Sequence, residues 1–509
     1  MATIQIPPDF KEFLQLLNAH NVEYMNNPIR IHPDHPRYFE FRGKPLVLIC
    51  ATEHYGSVLN RRFVFERYLQ EHADKKQTFT RLFLLFRELQ SPVNPCSPCK
   101  PESPDFVAPW PRSGPGKALD GEPQYDLSRW NEAYFERLHR FFALASELGI
   151  VIEATIFSNS YGDHIYALNP LHPANNIQGV GASSFLRYNT LLDDALWDKQ
   201  QEFVRKIVSE LNRYDNFYFE ICNEPGTMAV QEVAAAQIDE WQAAIGKLIR
   251  ETEAELPHQH LVFGGQAFTI PPFHQETSDS FATPLFDAVT IHPLPDTSFN
   301  GRVYDMGAFM SKQLHLEEFK AFSLAAAAVL KPCVHDEDNI ASCYRDTVGW
   351  TIHRKRAWTA VMCGAHYDVI DFSIVVHAEA GTEESRRELR SWLKHLSNFI
   401  HSMDVPRTQP LGDWLLEKPA GALECTLAVE GEDYAVYLAD PREVTDAESG
   451  SPISGAIRFM VPDGQYSVTT FSPVTGGASP GVLISGGQET QLELAPFQHD
   501  VVVRLTRVD

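Results

Sequence analysis

The chain has 509 residues, of which 44% are hydrophobic and 22% charged, a composition typical of a soluble globular protein and not of a disordered or fibrous one. Its formal charge of −24 disfavours nucleic acid and anionic membranes as partners, and no apolar run approaches the roughly 18 residues that span a bilayer. The N-terminal residues show no signal peptide, so we expect a cytoplasmic protein, or a secreted one if a signal was trimmed.

Short apolar runs alternate with amphipathic stretches up to residue 404, a pattern typical of parallel βαβ units. Eight runs are predicted strands, and their nearly unbroken apolar character indicates burial on both faces. These strands are Leu46–Thr52, Phe79–Phe86, Val151–Phe157, Phe217–Cys222, Leu261–Gly264, Ala288–His292, Pro332–His335 and Tyr367–Phe372. The predicted helices are Arg62–His72, Asn131–Leu148, Leu196–Arg213, Gln231–Glu255, Leu314–Leu330, Thr351–Gly364 and Glu384–Ile400. Eight strands, each followed by a helix, predict a (β/α)8 barrel.

Other segments complete the predicted architecture. Residues 29–44 precede strand one and are predicted to form a hairpin at the bottom of the barrel. A long loop rich in proline and glycine, Gln90–Tyr125, follows strand two, and loops of this length usually carry function. After residue 405 the runs alternate with period two, which predicts a small antiparallel β-sandwich. We therefore expect a barrel domain over residues 1–404 and a sandwich over residues 405–509. An open doubly wound sheet is the alternative fold, although no G-x-G-x-x-G follows strand one.

Catalytic groups of such barrels lie at the C-terminal ends of the strands. Strand four ends in Asn223-Glu224, and strand seven runs into Asp336-Glu337. Two carboxylates that face each other at roughly 5–5.5 Å suit double displacement at a sugar anomeric carbon, one as nucleophile and one as acid/base. The two strand ends offer such a pair.

The stretches FEICNEP at strand four and KPCVHDED at strand seven resemble those of the clan A glycoside hydrolases, the cellulase-like barrels around family 5. The segment YDLSRWNEAYFERLHRFFALASELGI also resembles the one that leads into strand three of these barrels, and the likeness extends over residues 35–400. The resemblance implies a retaining O-glycosyl hydrolase that cleaves β-glycosidic bonds of a neutral glycan. It implies Glu224 as the acid/base and Glu337 as the nucleophile. The predicted sandwich also resembles the C-terminal modules that several members of this clan carry.

The resemblance also assigns binding roles. It places Asn223 at the sugar 2-hydroxyl, Arg81 in support of the nucleophile, and His292 in the orientation of the active-site hydrogen bonds. Two features depart from the family pattern: Asp338-Asn339 follow Glu337 where an aromatic residue and glycine are common, and strand eight lacks the usual tryptophan.

Several assignments at the site have alternatives. Asp336 is an alternative to Glu337, and Arg81 is equally well explained as a structural ion-pair partner, for example of Glu220. Glu220 shares the strand parity of Glu224, so it is predicted to point inward as a structural carboxylate. The remaining candidates for contact with the sugar are side chains at strand ends or near loops, namely His54, Tyr55, Asn159, Tyr161, Tyr304 and Trp350.

Two other functions remain open at this stage. One is a non-catalytic carbohydrate-binding protein on a degenerate barrel, and the other is a metal-dependent barrel hydrolase that uses His54, His292, His335 and Asp336. Cys96 and Cys99 form a C-x-x-C without a second ligand pair, so we predict no metal and no cofactor. A carbohydrate is the expected partner, while the sugar, the linkage, exo or endo action and the oligomeric state do not follow from the sequence.

Overall fold

The computed structural model describes residues 27–53, 55–87, 103–228, 232–265, 267–270, 274–307, 313–340, 347–371 and 383–509. Eight parallel strands form a nearly closed ring, and we number them β1 to β8 in chain order. They are β1 (Ile49–Thr52), β2 (Phe79–Phe83), β3 (Val151–Ser158), β4 (Phe217–Asn223), β5 (Val262–Gly264), β6 (Ala288–Ile291), β7 (Cys333–Ile340) and β8 (His366–Ile370). Every predicted strand is therefore present.

The ring follows the order of the strands in the sequence, with β8 paired to β1 and the other neighbours paired in turn. At the remaining seam, the Thr78 amide donates to the Ile49 carbonyl over 3.0 Å, and the Arg81 amide donates to Thr52 Oγ1 over 3.2 Å. These contacts bring β1 and β2 together, so the predicted (β/α)8 barrel is confirmed and the open sheet is wrong.

Helices follow the strands and cover the outside of the ring. They are α1 (Phe65–Asp74), α2 (Glu132–Leu148), α3 (Asp194–Leu211), α4 (Ala235–Glu253), α5 (Ser278–Ala282), α6 (Leu316–Ala327), α7 (Thr347–Met362) and α8 (Glu383–Ile400). Of these, α5 has only five residues and was not among the predicted helices. Among the described residues, none of these helices is long and apolar enough to cross a membrane.

The helix α2 shows how the sequence forms these units. Tyr134, Leu138 and Phe141 recur at helical spacing and are buried against the barrel. Gly149 ends the helix at a φ of 73°, a left-handed conformation that costs glycine little, and turns the chain directly into β3.

Short strands lie at both ends of the barrel. At the bottom, a hairpin of Arg30–Ile31, Phe39–Phe41 and Lys44–Leu46 inserts the Phe39 ring, whose centroid lies 5.8 Å from that of Phe263. The mouth carries an accessory sheet of Gly226–Met228, Phe268–Ile270, His274–Glu276, Asp296–Phe299 and Arg302–Tyr304. A further pair of strands, Arg112–Lys117 and Pro123–Tyr125, lies in the long segment after β2.

The C-terminal residues form the predicted β-sandwich, made of two antiparallel sheets. One sheet contains Leu415–Glu417, Ile453–Met460 and Glu489–Phe497. The other contains Leu423–Val429, Asp433–Ala439, Gln465–Phe471, Val482–Ser485 and Asp500–Arg507. Alternate residues of the second sheet pack into the sandwich core, while the opposite face packs against α7 and α8 of the barrel.

The contact between the barrel and the sandwich is a buried surface. The Arg354 guanidinium on α7 forms two hydrogen bonds of 2.9 and 3.0 Å with the Asp500 carboxylate of the sandwich. The Trp358 ring stacks on Tyr437 with centroids 5.5 Å apart. Such a surface resembles a domain core more than a transient interface, so the two domains hold a defined relative position.

Candidate active site

The side chains of Glu224 and Glu337 meet at the C-terminal end of the barrel. Glu224 follows β4 directly, Glu337 lies in β7, and each offers an oxygen within 4.8 Å of the other. Both residues have a left-handed backbone, with φ angles of 45° and 49°. This conformation costs a non-glycine residue energy and is concentrated at functional sites. We refer to these two side chains as the carboxylate pair.

An irregularity in β7 explains why Glu337 reaches the mouth. The pairing of β7 with β8 shifts register between His335 and Asp338. His335 faces outward, where its Nε2 lies 2.8 Å from Ser323 Oγ, and Asp338 also faces outward to the Arg356 Nε at 2.6 Å. The two residues between them, Asp336 and Glu337, are both turned inward, as β-bulges next to active sites often do.

Arg81 on β2 lies beneath the carboxylate pair and contacts it directly. Its Nη1 donates to Glu337 Oε1, and its Nη2 donates to the Asn223 side-chain oxygen over 2.9 Å. The guanidinium is completely buried and also forms hydrogen bonds of 2.6 to 3.1 Å with the Glu220 carboxylate. Arg81 thus contacts Glu337 and is at the same time the ion-pair partner of Glu220, so its position is compatible with both interpretations.

Glu224 is held by two donors that belong to other strand ends. The Tyr161 hydroxyl donates to Glu224 Oε2, and His292 Nδ1 lies 3.1 Å from Glu224 Oε1. The Asn223 amide in turn donates to the Tyr161 oxygen over 2.8 Å. Side chains at the C-terminal ends of β3, β4 and β6 therefore fix the position of this carboxylate.

The electrostatics of the three central groups are coupled. Burial opposes a charge on His292, but the carboxylates of Glu337 and Glu224 outweigh it and raise the pKa of this imidazole to about 9. Burial raises the pKa of Glu337 to about 7, against the attraction of Arg81. Burial also disfavours ionisation of Glu224, yet the donors His292 and Tyr161 hold its pKa below the ordinary value. His292 is therefore cationic at neutral pH, and of the two carboxyl groups Glu337 binds a proton more readily than Glu224.

Two further predicted residues lie beside the pair. The backbone amide of Tyr161 donates to the Asn159 side-chain oxygen over 3.0 Å, which helps to fix the left-handed φ of 56° at Tyr161. The Tyr55 ring packs 5.9 Å from Phe86, which in turn lies 6.2 Å from the Tyr161 ring. Tyr55 and Tyr161 thus belong to one aromatic wall.

The stacking role predicted for Trp350 is wrong. Trp350 lies in α7 with no exposed surface, so its ring packs in the core between the barrel and its outer helices. Tyr304 is also a poor platform, because it is 5% exposed and its ring packs edge-on against Phe322 under the Arg302 guanidinium. His54 lies outside the described residues.

Four carboxyl side chains form a second layer below the pair, and we call them the acidic cluster. They are Glu153 of β3, Glu220 of β4, Asp336 of β7 and Asp368 of β8, and each is at most 1% exposed. Glu153 and Asp368 were missed at the sequence level. The available signal was a charge within an apolar strand, since buried ionisable residues in a cleft mark functional sites.

The described residues offer two groups of donor atoms at metal-ligand spacing. These are the carboxylate pair with His292, and Glu153, Glu220 and Asp336 of the acidic cluster. Cationic side chains already lie within both groups, His292 in the first and Arg81 in the second. Among the described members of the ligand set for the metal-dependent alternative, His335 faces α6 and does not belong to the group that contains His292.

Comparison with known proteins establishes the fold. One family model, described as a domain of unknown function (DUF6298), matches residues 101–218. A search of curated proteins finds no significant match.

Solved structures match over nearly the whole chain. A glycoside hydrolase of family 5 from Bacteroides vulgatus is 12% identical, with a TM-score of 0.60 and 94% of each chain covered. Another structure, titled a glycoside hydrolase, is 11% identical, with a TM-score of 0.59, and covers 95% of this chain and 97% of its own. The barrel with a C-terminal sandwich is therefore the architecture of family 5-like glycoside hydrolase structures, as the sequence resemblance predicted.

Proposed function

We propose that the protein is a retaining glycoside hydrolase that cleaves β-glycosidic bonds of a neutral glycan. The observation that carries the proposal is the approach of Glu224 and Glu337, whose oxygens lie within 4.8 Å at the mouth of the barrel. Retaining enzymes place the two carboxyl groups roughly 5–5.5 Å apart, whereas inverting enzymes leave room for a water molecule at roughly 6.5–9.5 Å. The spacing supports the retaining reaction.

The surroundings suit a double displacement. In the first step Glu337 attacks the anomeric carbon in its ionised form and makes an ester bond, while Glu224 gives a proton to the leaving oxygen. In the free site Glu337 binds a proton more readily than Glu224, so this step requires that the proton moves from Glu337 to Glu224 when the substrate binds. Esterification removes the negative charge of Glu337, so the pKa of Glu224 falls and Glu224 stays ionised after it has lost its proton. The ionised carboxylate then accepts a proton from water as the general base. That water attacks the anomeric carbon and releases Glu337. Tyr161 and His292 stabilise Glu224 in its ionised state between the two steps.

The charge of the site favours a neutral substrate. The acidic cluster and the carboxylate pair concentrate carboxyl groups below and around the mouth, and the whole chain carries a formal charge of −24. Such a field repels an anionic sugar and does not penalise a neutral one.

Hydrolysis of a panel of aryl β-glycosides tests the proposal. Glu337→Gln and Glu224→Gln are each expected to lower the rate at least about 100-fold, because each removes a group that acts in the transition state. Glu251→Gln on the exposed side of α4 is the matched control and is expected to keep the wild-type rate. If both site variants keep the wild-type rate, the proposed pair is wrong.

Two measurements separate the roles of the pair. NMR of the first-formed sugar is expected to show the β configuration, since two displacements restore it. Added azide is expected to rescue Glu224→Gln as a β-glycosyl azide, because it replaces the water in the second step. An α-configured first product would contradict retention.

A further inference from the structure

The acidic cluster holds more carboxyl groups than its cation can neutralise. Its four members and Glu337 surround the single Arg81 guanidinium, and all five are at most 7% exposed. An isolated carboxylate in a dry interior costs many kcal/mol, so such groups bind protons instead. Several protons must therefore reside in this layer.

The contacts indicate which members are ionised. The Glu220 carboxylate accepts hydrogen bonds of 2.6 to 3.1 Å from two nitrogens of Arg81, and one of 2.5 Å from the Thr155 hydroxyl. Asp336 places Oδ2 3.1 Å from Arg81 Nε, and its Oδ1 accepts the backbone amide of Glu337 over 3.1 Å. Both carboxylates are therefore ion-paired with the Arg81 guanidinium, while Asp336 Oδ2 accepts no hydrogen bond from a donor among the described residues.

Asp368 differs from both. It is completely buried, and neither of its oxygens accepts a hydrogen bond from a donor among the described residues. It faces Asp336 across the β7–β8 pairing, and burial together with Asp336 raises the pKa of Asp368 well above its ordinary value. The charged or titratable groups that face it are Cys50 of β1, Arg81 of β2, Asp336 and Glu337 of β7, and the neighbouring Tyr367.

We propose that Asp368 is a positioning residue for Glu337, because it holds a proton that it donates to Asp336. With that hydrogen bond in place, Asp336 needs Arg81 only through Nε, and Nη1 remains directed to Glu337. An ionised Asp368 would place two unshielded carboxylates beside one guanidinium and draw it away from the nucleophile. The inference rests on the proposed function, since it concerns the support of Glu337 in that reaction.

Substitutions that are alike in shape and unlike in charge test this proposal. Asp368→Asn exchanges one neutral group for another, so the alkaline limb of the pH profile of kcat/KM is expected to stay at the wild-type pH. Asp336→Asn removes a negative charge beside Glu337 and is expected to move that limb downward by about one pH unit. Glu220→Gln also removes a negative charge and takes the place of Asp336→Asn if that variant does not fold. An equal shift in Asp368→Asn would overturn the proposal.

Rescue by the amide separates hydrogen bonding from simple packing. Asp368→Ala deletes the donor to Asp336 and is expected to lower kcat on the order of tenfold with little change in KM. Asp368→Asn is expected to restore most of that loss, because its amide still donates. If alanine and asparagine lower kcat equally, Asp368 has no such role.

Infrared spectroscopy can detect the proton on the Asp368 carboxyl group in the absence of substrate. Protonated carboxyl groups have a C=O stretch that is distinct from that of carboxylates and shifts in D2O. This band is expected in the wild type and weaker in Asp368→Asn, while Glu220→Gln leaves it unchanged. An undiminished band in Asp368→Asn would exclude a protonated Asp368 even if the protein hydrolyses glycosides. A weakened band in a protein without glycosidase activity would instead point to failure of the proposed function.

Discussion

At the residue scale, the central feature is a pair of carboxyl groups whose titrations depend on each other. Their oxygens lie within 4.8 Å, so they titrate as a unit and the position of the proton is a property of both. The singly protonated pair contains both an acid and a nucleophile, and it is the form that the reaction needs. Arg81 and His292 supply positive charge on either side of it.

This arrangement predicts a bell-shaped dependence of kcat/KM on pH. Below the lowered pKa of Glu224, whose ordinary value is 4.5, a second proton binds and the nucleophile is lost. Above the pKa of about 7 at Glu337, the last proton leaves and no acid remains for the leaving group. Initial rates on an aryl β-glycoside should show both limbs. An alkaline limb near the pKa of about 9 at His292 would instead make loss of the imidazolium the limiting event.

A second prediction concerns Tyr161, whose hydroxyl donates to Glu224. Tyr161→Phe removes a hydrogen bond to a charged group, worth roughly 1.5–3 kcal/mol, so kcat should fall about tenfold or more. The pKa of Glu224 should rise, which moves the acid limb of the pH profile to higher pH. Tyr166→Phe is the matched control, since that hydroxyl donates to the Leu171 carbonyl and not to the pair. An unshifted acid limb in Tyr161→Phe would contradict the role of this hydroxyl.

At the element scale, the bulge in β7 decides which carboxylates face the substrate. A regular strand would alternate its side chains, so Asp336 and Glu337 would point to opposite sides. The bulge is held on the outside by Asp338, which accepts from Arg356 Nε over 2.6 Å and from the Tyr367 hydroxyl over 2.7 Å. The contact of Asp338 with α7 and β8 therefore stabilises the inward position of Glu337.

Arg356→Met is expected to disrupt this element. It leaves Asp338 buried without its cation, a change that costs roughly 3–5 kcal/mol in comparable buried pairs. Urea unfolding should show a free energy of unfolding lower by about that amount, and the folded fraction should lose activity because Glu337 shifts. Arg356→Lys keeps the charge and should lose less. A loss below about 1 kcal/mol, the value of an exposed pair, would show that Asp338 does not depend on Arg356.

At the scale of the whole molecule, the sandwich and the barrel share a core. The five-stranded sheet of the sandwich is buried on both faces, and one of these faces packs on α7, the helix that carries Arg356. The structure behind the active site thus includes residues of the C-terminal domain, and we expect the two domains to unfold together.

Asp500→Ala tests this coupling between the domains. It leaves the Arg354 guanidinium, 2% exposed, without a partner, so the free energy of unfolding should fall by roughly 3–5 kcal/mol. Calorimetry of Asp500→Ala should still show one unfolding transition. The barrel and the sandwich share a core, so neither domain can unfold without exposing apolar residues of the other. The control is Glu432→Ala, which breaks the exposed Arg407–Glu432 pair and should leave stability within error of the wild type. Two separate transitions in the wild type would contradict a shared core.

Much of the architecture follows from local patterns in the sequence. Apolar runs predict all eight barrel strands, because a strand that is buried on both faces has a nearly continuous apolar sequence, whichever strands it pairs with. The position of Glu224 follows in the same way, because a residue directly after a barrel strand lies at the mouth. Trp350 could not be placed by such reasoning, since one aromatic residue in a helical segment suits a core or a surface equally well.

The sequence by itself determined the strands, the sandwich and the strand ends at which Glu224 and Asp336-Glu337 lie, because hydrophobic periodicity and strand ends are properties of neighbouring residues. Only the tertiary structure decided how Arg81 is shared among four carboxylates from three strands, and that Asp336 supports Glu337 from below. Those contacts join residues far apart in the chain. They depend on closure of the ring and on a shift of register in β7, and no local pattern encodes either one.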